Sequence, residues 1–328
     1  MRFFNKWNQE KIEKVFIDGQ FDFLIKGLET GKIDPNMKIY GTPFLNEACR
    51  KLGTVTLIQK LIEKGVDVNQ FDMFTRTPVM IVIERYLGLV GEQDDEALKN
   101  ENERLLTLLK EAGADFNKRD GEDKTPLERL IQRAHPVYYR NAMPNGYVDF
   151  FNNYWKKAEL LIRYGANINA KDKNGKTPLM EAVQQRSFGA VKFLIQNGAD
   201  VNLADEKGET AVMQVVQDWY LNNIQIKNNK GMLTVDETQE ISDTSLVIQN
   251  RLLKILEYLI SAGADLVQKN KEGLDVYNLA MKKGHGAVAK VIIKCLQRQL
   301  KGSPLYGRKI SKSGLIKTLN PALKREKE

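Results

Sequence analysis

The sequence predicts an all-α protein built from a series of short helical pairs. Thr-Pro pairs recur where helices would begin, Gly-Ala-Asp-like segments recur where helices would end, and a loop of constant length follows each end. A Thr hydroxyl can cap a helix, and Pro suits the first helical position because its missing N–H is not needed there. Gly can close a helix in the left-handed conformation. Each unit is therefore predicted to contain two helices, a Gly stop and a polar finger loop.

The segment KNGKTPLMEAVQQRSFGAVKFLIQNGADVN, residues 173–202, shows all these signals in one unit. Comparable starts stand at Thr42, Thr77, Thr125, Thr177 and, in weaker form, Thr210; comparable ends stand at Gly65, Gly113, Gly165, Gly198 and, in weaker form, Gly263. Together they resemble the ankyrin repeat family, whose pattern is close to DxxGxTPLHxAA…GADVN over about 33 residues. The resemblance covers about residues 10–297 and implies an ankyrin-repeat solenoid of about seven helix-turn-helix units, of the irregular bacterial or viral type.

The spacing of these signals locates three insertions. The starting Thr and the closing Gly are 21 residues apart in the 173–202 unit, but 36, 40 and 53 residues apart in units three, four and six. Eight residues separate each closing Asn from the next Thr, so the extra length must fall between the two helices of a unit. We therefore expect an amino-terminal capping repeat at 1–36, central repeats at 37–267 with insertions at about 88–103, 135–154 and 219–250, a carboxy-terminal capping repeat at 268–297 and a basic tail at 298–328.

The insertion of unit four is rich in aromatic residues, seven of which fall between positions 135 and 155. From Tyr147 onward the chain lacks Gly and Pro up to the closing Gly, so the second helix of this unit is predicted to begin early. One face of that helix would then be buried, formed by Phe151, Trp155, Ala158 and Ile162. Phe150 and Tyr154 lie about 100° from this face. If both are exposed, they form a patch typical of an interaction site.

The other two insertions have a different character. The one at 88–103 contains six acidic residues against Lys99 and is interpreted as the solvated start of a longer helix. The one at 219–250 is compatible with a hairpin around Asn229-Lys230-Gly231, followed by a helix capped at Ser242-Asp243.

The composition, 42% apolar and 28% charged residues in 328, is that of a soluble folded protein. No apolar run approaches the roughly 18 residues needed to cross a bilayer, and the opening segment lacks the apolar core of a signal peptide, so we expect a cytoplasmic protein. Two cysteines and two histidines provide neither a disulfide framework nor a metal site. Cys49 is interpreted as a core residue, and His285, after Gly284, as a structural residue of the turn between two helices. No cofactor is expected.

The family resemblance implies a monomeric protein that recognises other proteins with its finger tips and first helices, without catalysis. The early fingers carry aromatic and Met side chains, which are enriched among interface anchors, whereas later fingers carry Lys, Asn and Glu. The candidate partner-binding residues are Ile39, Tyr40, Phe71, Met73, Phe74, Phe150, Tyr154, Lys173 and Lys176. The amino-terminal half of the concave face is the favoured binding surface. An alternative is that Phe3, Phe4 and Trp7 pack over these fingers.

The basic tail offers a second class of function. It holds nine Lys or Arg against two Glu, and its candidate electrostatic residues are Arg308, Lys309, Lys312 and Lys317. Such a segment attracts nucleic acid or an anionic membrane without reading sequence. A solvated end or a localisation or secretion signal would have the same composition. A catalytic role has little support, because the glycine-rich segment GSPLYGRK at 302–309 lacks the Ser or Thr and the preceding strand of a phosphate-binding loop.

Two biological roles fit a binding protein with irregular repeats. It could be an effector delivered to a host cell, or an inhibitor that sequesters a toxin or defence protein in its own cytoplasm. The sequence does not choose between them.

Overall fold

The computed structural model describes residues 8–85, 96–133, 147–219 and 243–299, and leaves out the side chains of 96–99, 147–154, 243–250, 287 and 295–299 within them. Across these ranges the chain forms fourteen helices and one short two-stranded hairpin. The predicted all-α class is therefore confirmed. The chain divides into two compact units, Met1–Asn167 and Ile168–Glu328.

The first unit contains eight helices that follow one another in pairs. They are α1 Gln9–Ile17, α2 Phe21–Glu29, α3 Phe44–Arg50, α4 Val55–Glu63, α5 Pro78–Glu84, α6 Glu96–Glu111, α7 Pro126–Arg133 and α8 Tyr147–Arg163. First helices pack on first helices, as α3 does on α5 and α5 on α7, while second helices pack on second helices, as α2 does on α4 and α4 on α6. The strands β1 Lys38–Ile39 and β2 Thr42–Pro43 form an antiparallel hairpin between α2 and α3.

The second unit contains six helices arranged in the same way. They are α9 Pro178–Gln184, α10 Phe188–Gln196, α11 Ala211–Gln217, α12 Asp243–Ser261, α13 Val276–Lys282 and α14 Gly286–Gln299. The first helices α9, α11 and α13 pack in sequence, and α10 packs on α12. Among the helices of the described residues, none combines the length and the apolar character that crossing a bilayer requires.

The helix starts follow the predicted Thr-Pro signal except at Thr42-Pro43, which forms β2, so that α3 begins at Phe44 without a side-chain cap. Thr77 accepts a hydrogen bond from the backbone N–H of Met80, and Thr177 from that of Met180, each at 3.3 Å, with Pro at the first helical position in both. At the weakened start, Thr210 makes no such cap with its side chain. The helix ends also follow prediction, because Gly65, Gly113, Gly165, Gly198 and Gly263 all have φ between 80° and 101°.

The core is made of small and branched side chains between neighbouring helices. In the 173–202 unit Leu179, Ala182, Val191 and Leu194 are buried to within 1% of full burial. Each large aliphatic side chain of this kind contributes about 1.5–3 kcal/mol. Cys49 is fully buried, and its desolvation raises the pKa of the thiol to about 12.

His285 is buried as well, and desolvation lowers its pKa. Its backbone N–H donates to the carbonyl of Ala280, so the residue lies in the turn between α13 and α14. Cys49 is therefore a core residue and His285 a turn residue, as expected.

Helix α8 begins at Tyr147, as the Gly- and Pro-free run predicted. Its buried face contains Ala158 and Leu161, whereas Trp155 and Ile162 are only half-buried. The prediction of a buried side chain is therefore correct at Ala158. The buried face is rotated relative to the predicted one, because Leu161, and not Trp155 or Ile162, is the side chain that is fully buried. The predicted hairpin at 229–231 lies outside the described residues.

A polar cluster joins three successive helical pairs at the edge opposite the fingers. Lys157 on α8 donates through Nζ to the carbonyls of Ile83 (3.3 Å) and Arg85 (2.9 Å), where α5 ends. Arg85 donates to Glu101 at 2.9 Å, and the same carboxylate accepts the backbone N–H of Gly53 at 3.0 and 3.2 Å. Burial, together with the charge of Arg85, lowers the pKa of Lys157 to about 8.

Candidate protein-binding face

Five finger loops, those after the β1–β2 hairpin, are each shaped by one acidic or amide side chain. The Oδ1 atom of Asp72, Asp120, Asp172, Asp205 or Asn270 accepts the backbone N–H groups two and four residues further on, at 2.8–3.0 Å. This residue always stands three positions after the last residue of the Gly-Ala-Asp-like segment, so the sequence contains the signal. The side chains one and two positions after it take no part in this hydrogen bonding.

The residue three positions after that Asp or Asn has a left-handed backbone. Gly175, Gly208 and Gly273 occupy the position with φ of 75–76°, but the first unit has Thr75 at φ 59° and Asp123 at φ 60°. A β-branched side chain in this conformation costs about 1–2 kcal/mol. Such strain persists only where the surrounding structure holds it.

Thr75 is held by the next finger. Its Oγ1 accepts a hydrogen bond from the backbone N–H of Gly121 at 2.8 Å. In the second unit the corresponding N–H groups, those of Glu206 and Lys271, donate to backbone carbonyls at 2.9 Å instead. A Cβ atom on Gly121 would lie 2.7 Å from Thr75 Oγ1, so the two positions constrain each other.

The loop between α4 and α5, which we call the third finger because it precedes the third repeat, exposes three large apolar side chains, which we call the finger patch: Phe71, Met73 and Phe74. Their exposed fractions are 40%, 67% and 60%. The Asp72 hydrogen bonds fix the backbone here, including the N–H of Phe74, but they do not involve the side chains of Met73 and Phe74. The finger patch therefore presents apolar surface to solvent on a loop whose backbone is fixed.

Cationic side chains lie against the rings of the finger patch. The guanidinium carbons of Arg76 and Arg50 are 4.8 and 5.9 Å from the centroid of the Phe74 ring. Lys118 Nζ is 4.5 Å from the Phe71 ring and donates to the carbonyl of Asn69 at 2.8 Å. Contacts of this kind contribute about 0.5–1 kcal/mol each at exposed sites, and they limit the motion of the rings.

Beside the patch, three arginines form what we call the arginine ladder: Arg50, Arg76 and Arg133. Arg50 pairs with Asp72, and Arg76 contacts the same carboxylate at 3.1 Å. Arg76 also contacts Glu84 at 3.1 Å, and Arg133 reaches Glu84 at 3.2 Å. The ladder thus connects α3, the third finger, α5 and α7.

Two of the acids that pair with the arginine ladder have buried side chains, whereas its three arginines are partly exposed. The side chains of Asp72 and Glu84 are 0% and 8% exposed, whereas those of Arg50, Arg76 and Arg133 are 27%, 21% and 43% exposed. Glu47, which pairs with Arg50, is 21% exposed, so the surface next to Arg50 carries both signs of charge, whereas the surface at Arg76 and Arg133 carries mainly guanidinium groups.

The remaining residues of the predicted site fall into three groups. Ile39 is fully buried, because β1 turns it inward, so its assignment to the binding surface is wrong. Tyr40 is about half exposed at the tip of the hairpin, and partial burial, followed by the charges of Glu13, Glu47 and Asp18, raises its pKa. In the second unit Lys173 is exposed, and Lys176 is half-buried with Nζ donating to Gln184 at 3.2 Å.

The third group consists of residues whose side chains the structure does not describe. The side chains of Phe150 and Tyr154, and the tail residues Arg308, Lys309, Lys312 and Lys317, lie outside the described residues. The same holds for Phe3, Phe4 and Trp7. Where the structure describes side chains, no group of His, Cys, Asp and Glu is arranged to hold a metal ion.

Comparisons with known proteins agree with this architecture. Residues 147–226 match the family model described as ankyrin repeats (3 copies). The ankyrin repeat domain of Bcl-3, described as a unique member of the IkappaB protein family, superposes with a TM-score of 0.55 at 17% identity, covering 85% of this chain and 96% of that one. An ankyrin repeat domain from Acinetobacter baumannii AYE matches with a TM-score of 0.47 at 17% identity, covering 76% and 96%. No curated protein matches the chain significantly.

Proposed function

We propose that this chain, which has an ankyrin-repeat fold, is a non-catalytic protein that binds another protein. In this proposal the partner contacts the finger patch and the neighbouring helices α3, α5 and α7 of the first compact unit. Ankyrin repeats are in general protein-interaction modules. The observation that supports the location is the exposure of Phe71, Met73 and Phe74 on a single ordered finger.

Three properties of the patch favour a binding role. Aromatic and Met side chains provide large contact areas and are enriched among the few residues that dominate interface energies. The finger backbone is already fixed by Asp72 and Thr75, so little conformational entropy is lost on binding. The strained φ of Thr75 is retained next to the patch, where a Gly would relieve it.

In this proposal the protein acts by occupying a partner's surface in a cytoplasm, as a monomer. An effector delivered to a host cell and an inhibitor of a protein in its own cell would both work in this way. They differ in which cytoplasm contains the partner. The alternative, electrostatic binding of nucleic acid or an anionic surface by the tail, requires residues 298–328 and not the finger patch.

Site-specific crosslinking would test the location. A photoreactive amino acid at Met73 of the full chain should capture one protein from the relevant cytoplasmic extract, and the same group at the exposed Glu159 on α8 should not. Capture should persist in a chain ending at residue 297. Capture that depends on the tail, or that is equal from both positions, would contradict the proposal.

Purified partner then allows a quantitative test. The double substitution Met73→Ala, Phe74→Ala removes two exposed side chains and should weaken binding about 30-fold or more, the size expected of a hot spot of at least 2 kcal/mol. The melting temperature should change little, because neither side chain is in the core. An unchanged affinity would show that the partner binds elsewhere.

A further inference from the structure

We infer that the partner segment bound at this face is acidic and apolar, with Asp or Glu side chains contacting the arginine ladder and at least one large apolar side chain contacting the finger patch. The inference rests on the proposed function and specifies the chemistry of the partner. It follows from the charges, the hydrogen bonds and the position of the ladder.

The charge argument concerns what a partner would meet. The side chains of Asp72 and Glu84 are 0% and 8% exposed, whereas Arg133 is 43% exposed and Arg50 is 27% exposed. Glu47, which also pairs with Arg50, is 21% exposed, so the excess of exposed positive charge is greatest at Arg133. A carboxylate approaching Arg76 and Arg133 therefore meets guanidinium groups whose acidic partners, Asp72 and Glu84, lie mostly beneath the surface. A basic segment would meet the same groups and be repelled, so the arrangement selects against it.

The hydrogen-bond argument concerns unused donors. Arg50 uses Nε for Glu47 and Nη2 for Asp72, and Arg133 uses Nη2 for Glu84. Within the described part of the chain, the Nη1 groups of Arg50 and Arg133 make no hydrogen bond or ion pair. A guanidinium presents its donors in a planar fork that matches a carboxylate. The buried acids hold each fork in place, so it does not have to be ordered when the partner binds.

The position argument joins the two features. Phe74 packs on Arg50 and Arg76, so the apolar patch and the ladder form one continuous surface. A segment that covers Phe74 and Met73 places its neighbouring residues over the ladder. Carboxylate side chains next to apolar ones satisfy both parts at once.

A random 15-residue peptide display library is a suitable probe, because it can be applied before any partner has been identified. Selection on the full chain should enrich peptides that combine Asp or Glu with large apolar residues. Binding of the selected peptides should weaken with added salt, as expected of exposed charges.

Arg133 is the residue to vary, because Glu84 keeps Arg76 as a partner when Arg133 is removed and the fold is therefore preserved. Arg133→Gln should weaken the selected peptides about tenfold or more, as for the loss of a charge-assisted hydrogen bond. Arg133→Lys should recover only part of the loss, since Lys lacks the fork. Arg163→Gln, which removes an exposed arginine 3.8 Å from Glu103 on α6, is the matched control and should have no effect.

The outcomes separate this inference from the proposed function. Selected peptides that are neutral or basic but still lose binding on Met73→Ala, Phe74→Ala would overturn the acidic partner and leave the binding face intact. Acidic peptides that ignore that double substitution would place the binding site away from the finger patch and overturn both. A selection without a sequence preference, or equal Arg133 dependence for a single-stranded oligonucleotide, would also overturn the acidic-peptide assignment.

Discussion

The contact between Thr75 and Gly121 predicts a strong energetic coupling between two neighbouring fingers. In Gly121→Ala the new Cβ would lie 2.7 Å from Thr75 Oγ1 and 2.9 Å from Cγ2, so either the fingers separate or the 2.8 Å hydrogen bond is lost. We expect a cost of about 1–2 kcal/mol in the free energy of unfolding, the net value of one hydrogen bond together with local strain. In a Thr75→Gly background the same substitution meets no side chain at this position. There it should be neutral, or stabilising by about 0.4–1 kcal/mol because Ala restricts the unfolded chain.

A double-mutant cycle measures this coupling directly. Urea unfolding of the wild-type chain, the two single variants and the double variant gives four free energies, and their combination should yield an interaction of about 1–3 kcal/mol. Gly198 provides a control, because no heavy atom lies within 4 Å of its added Cβ: Gly198→Ala should show no coupling to Thr75→Gly. Equal costs of Gly121→Ala in both backgrounds would refute the reasoning.

Two further predictions concern buried groups. Folding lowers the pKa of Lys157 from 10.5 to about 8, so between these pH values the unfolded chain binds more protons than the folded chain. The free energy of unfolding should therefore increase by up to about 3 kcal/mol as the pH rises through this range. Urea titrations at several pH values should show this rise in the wild type and in Lys192→Met, an exposed control, but not in Lys157→Met. The raised pKa and full burial of Cys49 predict that its thiol, followed in a Cys295→Ser variant, reacts with an aromatic disulfide reagent at pH 8 only on unfolding; reaction at the rate of a free thiol would contradict its place in the core.

The helix boundaries were largely predictable, because the signals that set them are local. Thr77 and Thr177 cap helices through atoms three residues away, and Gly65 or Gly198 closes a helix through its own backbone. The resemblance to ankyrin repeats was confirmed for the same reason, since the family pattern consists of these local signals. The left-handed Thr75 was not predicted, because it stands where the fingers of the second compact unit have Gly.

The surface was only partly predictable, because it depends on contacts between distant residues. The exposure predicted for Phe71, Met73 and Phe74 is observed, but Ile39 belongs to the core, since two adjacent residues of a strand point to opposite sides. Local sequence signals gave no indication of the arginine ladder, in which Arg133 meets Glu84 across 49 positions. Lys157, which donates to carbonyls at the end of α5, likewise lies more than 70 positions from the residues it contacts.

The Asp-centred hydrogen bonding of the fingers has an evolutionary consequence. In each of these loops one side chain and one left-handed residue set the backbone conformation, so the two side chains between them are not needed for it. Gly121 is an exception, because a side chain there would collide with Thr75. Pairs such as Met73-Phe74 and Glu206-Lys207 can therefore be exchanged while the loop keeps its shape. A lineage carrying this gene could acquire new targets by drifting at these paired sites, one loop at a time, without passing through misfolded intermediates.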